Sequence, residues 1–347
     1  MEKGQKIVLN RLMYGHTLEM AKMFYVFSHS GSFDERLKEF SFDAKTQPII
    51  DTLSIGAKRA FDVNYDNDIT YNQKVVEDKN NVIVCFSGGK DSTAAALEMR
   101  SRGYNVYLYY VQGINKSYPD EMERATKIAS YLKMPLTVES VTLKGKTDFH
   151  DNPVKNQLIA SMALDFGVEN NIGTTVCFGD FYTDVANNSS FLEAWSDCQE
   201  MWQTHKEYVR NYVPNYDIII PFKNYIQTMD AIAKDITLLN LVQGCILPHR
   251  FREVTKKKNE EKFGVKLLPN RCGSCWKCCV EYIHHADIGV MEYDETFYKH
   301  CLDFLKEKMD VLHNEVVGRD YATVYKTFLY GNFKDTKYYK DVILCGK

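Results

Sequence analysis

The hexapeptide Ser87-Gly88-Gly89-Lys90-Asp91-Ser92 collects the groups with which a polypeptide holds an anion. Gly88 and Gly89 permit positive φ and let backbone amides approach a ligand closely. Ser87 and Ser92 add hydroxyl donors, Lys90 adds a charge, and Asp91 can hold Mg2+ or cap the following helix. The Walker pattern G-x-x-x-x-G-K-[ST] is absent, because Gly89-Lys90 is followed by Asp91, and the dinucleotide pattern G-x-G-x-x-G is absent too. A phosphate-type ligand is therefore expected in a loop of another kind.

A second set of reactive residues lies in "NRCGSCWKCCVEYIHH", where Cys272-x2-Cys275-x2-Cys278 is followed at once by Cys279. Three thiols at this spacing can converge on one soft cation, and a fourth ligand completes a tetrahedron. Cys245, Cys279, His284 and His285 are the candidates for that fourth corner, Cys279 poorly placed because its side chain diverges from that of Cys278. The spacing alone is compatible with Zn2+ and with an iron–sulfur cluster.

The elements around the hexapeptide place it. "NVIVCF" is strand-like and "STAAALEMRSRG" helical, with Gly103 in C-cap position. "YNVYLYYVQG", "PLTVESVTL" and "TTVCFGD" are further strands, separated by helical "PDEMERATKIASYLK", with Pro119 at its start, and "NQLIASMALDFG". Strands alternating with helices of this length imply a parallel sheet covered on both faces, whose ligands bind beyond the carboxyl ends of the strands. Upstream of the polar boundary Glu77–Asn81, "YGHTLEMAKMFYVF" reads as an amphipathic helix and "FDVNYDNDITYNQKVV" as a hairpin.

Composition narrows the partners. At 347 residues, with 45% hydrophobic and 26% charged residues, the chain can bury a large core. No run approaches a membrane span, and the N-terminus lacks a signal-peptide pattern, so a cytoplasmic protein with reduced cysteines and no membrane partner is expected. A net charge of −3 argues against tight nucleic-acid binding, which draws most of its affinity from phosphate neutralisation. The basic cluster Lys256–Lys257–Lys258 is followed by Glu260 and Glu261 and reads as a solvated charged loop.

The hexapeptide resembles the S-G-G-x-D-S signature of the PP-loop ATP pyrophosphatases. Together with the C-G-x-C-x-x-C at Cys272–Cys278 it resembles the 7-cyano-7-deazaguanine synthase family. Between the two, Asn156 matches an asparagine of that family's pattern, Gly179 and Asp184 match its G-x-N-x-x-D stretch, and Asp197 and Cys198 match its P-D-C-R stretch. "VQGC" aligns Cys245 with the first zinc cysteine. The resemblance runs from about Asn81 to Ile283. Lys90 stands where the family usually has an apolar residue, and "YVQGIN" keeps Gln112 of the family's Y-G-Q-x-H but no histidine.

The resemblance implies an α/β fold with a doubly wound parallel sheet, of the adenine nucleotide alpha hydrolase-like type, carrying a small zinc-binding segment and terminal extensions. The expected division is an N-terminal extension of unknown role at 1–80, a PP-loop ATP-binding domain at 81–244, a zinc-binding segment at 245–285 and a helical extension at 286–347. It implies ATP, Mg2+ and Zn2+, with residues Ser87 to Ser92 holding pyrophosphate, Asp91 and Asp184 on Mg2+, and Cys245, Cys272, Cys275 and Cys278 on zinc. Lys90, Asp91 and Asp184 are the candidate catalytic residues. Asp197 is a candidate for the guanine-like edge of a substrate, with Asn156 and Asp184 beside it. The implied reaction adenylates a 7-carboxy-7-deazaguanine-like carboxylate, which ammonia then converts to the amide and nitrile, releasing AMP and pyrophosphate. Two other readings use the same residues: a PP-loop tRNA sulfurtransferase with an iron–sulfur cluster, and a module of a bacterial defence system modifying a protein or nucleic acid. The extensions suit a second copy of the chain or a protein partner.

Overall fold

The computed structural model describes residues 6–9, 15–27, 44–49, 80–114, 120–144, 154–180, 199–222, 225–245, 247 and 249–314. Its centre is a six-stranded sheet. The strands are β1 (Lys6–Leu9), β2 (Asn81–Cys85), β3 (Asn105–Gln112), β4 (Leu136–Lys144), β5 (Thr175–Phe178) and β6 (Asp217–Ile219), in the order β1-β4-β3-β2-β5-β6. Strands β2 to β6 are all parallel, with Val84 of β2 opposite Leu108 of β3 on one side and Cys177 of β5 on the other. The chain starts this parallel part in the middle, runs out through β3 and β4, and returns to the other side of β2. A crevice therefore opens at the carboxyl ends of β2 and β5, the position where such sheets bind ligands.

Helices connect the parallel strands: α2 (Lys90–Ser101), α3 (Glu121–Leu132), α4 (Lys155–Glu169) and α5 (Gln199–Arg210). Strand β2 is buried along its whole length because its side chains alternate between two cores. Ile83 and Cys85 face a core with Leu158, Met162 and Trp202, while Val82 and Val84 face one with Ala95, Met99 and Ile128. The alanine run of α2 lets that helix lie close to the sheet, and Gly103, at φ +87°, ends it as expected.

The residues before the parallel sheet join it. β1 adds an antiparallel edge, pairing Lys6 with Lys144 and Leu9 with Val141. Helix α1 (Gly15–Phe27), where an amphipathic helix is expected, puts Met20, Met23 and Phe24 into the first core. His16 Nε2 lies 3.2 Å from Asp165 Oδ1 of α4, both fully buried. The hairpin expected at 61–76 and the helix start at Pro119 lie outside the described residues.

Beyond β6, α6 (Tyr225–Ala233) and α7 (Ile236–Leu241) are separated at Asp235, whose carboxylate accepts from the amides of Thr237 and Leu238 at 3.0 and 3.1 Å and caps α7. Helix α8 (His249–Phe263) corrects the expectation of a charged loop at Lys256–Lys258. One turn on, Lys256 meets Glu260 at 3.6 Å and Lys257 meets Glu261 at 3.8 Å, so the charge run is the solvated face of a helix. Helices α9 (Trp276–Asp287) and α10 (Glu295–Asn314) pack on each other and on α6 through Ile283, Phe297, Leu305 and Met229. Among the described residues no helix is long and apolar enough to cross a membrane.

Candidate active site and metal centre

Six consecutive residues, Ser87 to Ser92, turn from the carboxyl end of β2 into α2. Gly88 adopts φ +66°, and a Cβ there would meet the backbone of Ala125 at 2.8 Å, so the loop lies directly on the first turn of α3. Gly179, just after β5, closes the other side: a Cβ on it would sit 2.5 Å from Ser92 Cα. Only glycine permits both approaches. Within the loop the two serine hydroxyls lie 3.3 Å apart, the Gly89 amide donates to Ser87 Oγ at 3.3 Å, and Ser92 Oγ donates to the Gly89 carbonyl at 3.2 Å. The hydroxyls and amides are thus gathered at the positive end of α2, which favours an anion.

The loop borders a cavity of about 320 Å3 whose lining includes Ser87, Gly89, Asp91 and Ser92. Tyr109, Tyr110 and Phe178 give it aromatic walls, Asn156 lines it from α4, and Lys155 and Lys277 bring positive charge. Asp91 sits in the first turn of α2 and does not cap it; Gly89 occupies the N-cap position. Asp91 Oδ1 is buried without a hydrogen bond, with Lys90 Nζ 3.9 Å away, an arrangement that suits a cation at the cavity wall. Lys90 itself is 2% exposed. Burial pulls its ammonium down to about 8, although Asp91 and Glu281 favour the charged form.

Two residues of this cavity carry no sequence signal. Glu121 opens α3 as an ordinary first-turn carboxylate, yet it lines the cavity and accepts from Tyr110 Oη at 3.2 Å. Burial raises its carboxyl to about 7, against the opposing pull of Arg124. Lys277 sits between two cysteines of the motif and reaches the cavity because α9 begins beside the loop. Asp184 and Asp197 lie outside the described residues, as does Cys198.

The four cysteines Cys245, Cys272, Cys275 and Cys278 converge: their Sγ atoms all lie within 4.8 Å of one another, and all four residues are buried. Cys245 Sγ is 3.8 Å from Cys275 Sγ, and Cys272 Sγ is 3.7 Å from Cys278 Sγ. A tetrahedron of thiolates at the usual Zn–S distance has edges of about 3.8 Å, so the donor set fits a metal such as zinc. Burial pushes the Cys278 thiol well up in the absence of a cation, and a bound divalent ion reverses that preference. The other candidates for the fourth corner lie outside this group of thiols. Cys279 Sγ points to the Gly273 carbonyl at 3.8 Å, His284 Nε2 pairs with Asp230 at 2.7 Å, and His285 lies 4.0 Å from Glu281.

Cluster and loop are adjoining structures. Lys90 N donates to the Gln243 carbonyl at 3.1 Å, and Gln243 is two residues before Cys245. Arg271, next to Cys272, makes a two-pronged ion pair with Glu281 at 2.5 and 2.7 Å and donates to the Val242 carbonyl at 2.8 Å. Although burial alone would raise the Glu281 carboxyl, Arg271 and then Lys90 hold it down at about 2.

Comparison with known proteins agrees with this geometry. The family model described as "Queuosine biosynthesis protein QueC" matches residues 81–161, from β2 into α4. A curated relative, 7-cyano-7-deazaguanine synthase 1 of Desulfitobacterium hafniense (strain Y51), is 26% identical over 171 residues, covering 42% of this chain and 72% of that protein. Another, 7-cyano-7-deazaguanine synthase 2 of Sulfurisphaera tokodaii, is 33% identical over 105 residues, covering 30% of this chain and only 21% of the relative. With the S-G-G-x-D-S loop at the carboxyl end of a central parallel strand, these matches show similarity to the 7-cyano-7-deazaguanine synthases and support a QueC-like PP-loop family assignment.

Proposed function

We propose that the chain is an ATP-dependent synthase of the ligase type that adenylates a 7-carboxy-7-deazaguanine-like carboxylate, lets ammonia displace AMP to give the amide, and adenylates the amide oxygen a second time so that loss of AMP leaves the nitrile. The observation that carries this reading is the loop itself, whose clustered hydroxyls, amides and helix end border a cavity large enough for more than the phosphates alone. Ser87, Gly89 and Ser92 would hold the β,γ-phosphates of ATP, leaving its α-phosphorus facing the cavity. Asp91 lines that boundary, with Lys90 buried behind it, and Asp91 would hold Mg2+, with Asp184 as its partner. Lys155 and Lys277 would meet the anionic substrate, and Asn156 and Asp197 would bond its heterocyclic edge. Tyr109, Tyr110 and Phe178 give a flat ring an apolar bed.

A carboxylate resists attack by ammonia because it is already anionic. Transfer of AMP to its oxygen, with pyrophosphate leaving, turns that oxygen into a good leaving group. The chain's contribution is to hold the two anions together and screen their charge. The cysteine cluster would hold Zn2+ as a closed four-thiolate site, with no position for a catalytic water.

The test incubates the protein with ATP, ammonium and candidate carboxylates and weighs the products. AMP and pyrophosphate in step with a nitrile or amide support the reading. ADP and free phosphate as the only products exclude it. Asp91→Asn is expected to lower turnover at least a hundredfold with an unchanged circular dichroism spectrum.

A further inference from the structure

The peptide between Gly88 and Gly89 is gripped from behind. Arg124, on the first turn of α3, donates from Nε to the Gly88 carbonyl at 3.1 Å. A peptide unit is planar with its C=O and N–H on opposite edges. Holding the Gly88 oxygen against α3 therefore turns the Gly89 N–H the other way, toward Ser87 Oγ and the cavity. That amide is one of the loop's anion-facing donors, and Arg124 sets its direction.

Arg124 is in turn held by the cysteine cluster. Its Nη1 donates to Gln243 Oε1 at 2.7 Å and to Asp120 Oδ2 at 2.9 Å. Gln243 spends the other end of its amide on the Cys245 carbonyl, Nε2 to O at 2.9 Å, while its own carbonyl takes the Lys90 amide. Arg252, fully buried on the helix between Cys245 and Cys272, reaches to 3.8 Å from Asp120 Oδ2. Arg124 and Gln243 are each only 9% exposed, so water competes little for these bonds. The path from the Cys245 backbone to the anion loop is one continuous chain of bonds: the Cys245 carbonyl, Gln243, Arg124, Gly88.

We propose that Arg124 and Gln243 are positioning residues that fix the anion loop to the cysteine cluster, so that cation occupancy of the cluster sets the affinity of the loop for Mg-ATP. The proposal rests on the reading that this loop holds the phosphates of ATP. Four buried thiols have only weak attractions for one another; a cation fixes Cys245 in place, and with it the carbonyl that orients the Gln243 side chain. When Cys245 shifts, Arg124 loses an acceptor and the Gly88–Gly89 peptide is free to turn.

The experiment compares wild type, Arg124→Gln and Gln243→Leu, none of which removes a thiol. It measures zinc content, the Kd of Mg-ATP by calorimetry, and amide hydrogen exchange in the loop without nucleotide. Both variants are expected to keep one zinc per chain, weaken Mg-ATP binding about tenfold, and exchange the Gly89 amide faster while β2 and β3 stay protected. Gln243→Glu keeps the acceptor for Arg124 but loses the donor to the Cys245 carbonyl, so it is expected to recover part of the affinity and to leave that affinity insensitive to zinc removal. Removing zinc from wild type weakens Mg-ATP binding by the same factor, and removing it from either variant adds little further loss. Zinc-loaded variants with wild-type Kd and wild-type Gly89 exchange overturn the proposal, whether or not the stripped protein stays folded. Wild type that binds no Mg-ATP overturns the ATP reading instead, and the exchange at Gly89 then still decides whether the brace exists.

Discussion

The anion loop and the cysteine cluster are adjoining sites built in opposite ways. The loop is six consecutive residues, and its shape is held by its own hydroxyls, its own amides and the helix it opens. The cluster takes one thiol from Cys245 and three from beyond a 26-residue excursion, and nothing within it draws the four together as firmly as a cation would. Apart from the Gly88–Gly89 peptide, which Arg124 holds from outside, the loop is therefore expected to keep its form without a ligand, whereas the cluster is expected to depend on one. That difference also decides how each site fails when it is altered.

The largest expected effect belongs to the cluster. Cys275→Ser removes one corner of the tetrahedron, and structural zinc sites of this kind contribute on the order of 10 kcal/mol in small domains. The variant is expected to be insoluble or metal-free. Cys279→Ser changes the adjacent thiol, which points to Gly273, and is expected to keep its metal. Elemental analysis of the wild type should return one zinc per chain. Iron with acid-labile sulfide, or full zinc in Cys275→Ser, would remove the contrast between the two sites.

The same contrast explains what the sequence could disclose. A contiguous motif between a strand and a helix announces both its chemistry and its place, so the loop and four of the five parallel strands were legible, while the three-residue β6 is too short to show a period. Three cysteines in register were equally plain, but Cys245 as the fourth came only through family resemblance, because no spacing rule ties it to Cys272. Strand β1 has four residues, too few to show a period, and its partner β4 lies far along the chain. Helix α8 buries little besides Arg252 and Asn259, so it has no apolar stripe to reveal it among its charges. Glu121, Arg124 and Lys277 look like ordinary polar positions on helices. Their roles depend on which element packs against them, and that is tertiary information.

Between the two sites lies the Arg271–Glu281 pair, 4% and 2% exposed at the side chains, and its loss should rank second. Glu281→Gln leaves the Arg271 guanidinium without a buried counter-charge next to Cys272. Breaking such a pair from one side costs about 3–5 kcal/mol. Thermal unfolding should show a drop of that order, with zinc retained in the protein that remains folded. A double replacement of Arg271 and Glu281 by apolar residues of similar size should recover much of the loss. If it does not, the pair holds the cluster's position through its bonds to the Val242 carbonyl and not through charge balance alone.

The smallest effect tests the loop side, through the cavity wall and pH. Glu121 has its carboxyl raised to about 7, first by burial, with Arg124 and the Tyr110 hydrogen bond acting in the opposite direction. Lys155 also favours its charged form and Asp120 opposes it. In the unfolded chain the same carboxyl ionises near pH 4.5. Between those two values the folded protein binds more protons than the unfolded one, so this group's contribution to stability is full below pH 4.5 and is lost as pH rises through 7. Glu121→Gln removes the ionisation. The stability of the variant relative to wild type should therefore improve from pH 5 to pH 8, measured as the difference between their urea midpoints across that range. A difference that stays flat would mean that water or a neighbouring cation already compensates the ionised carboxylate, and that this wall of the cavity is as solvated as an ordinary surface.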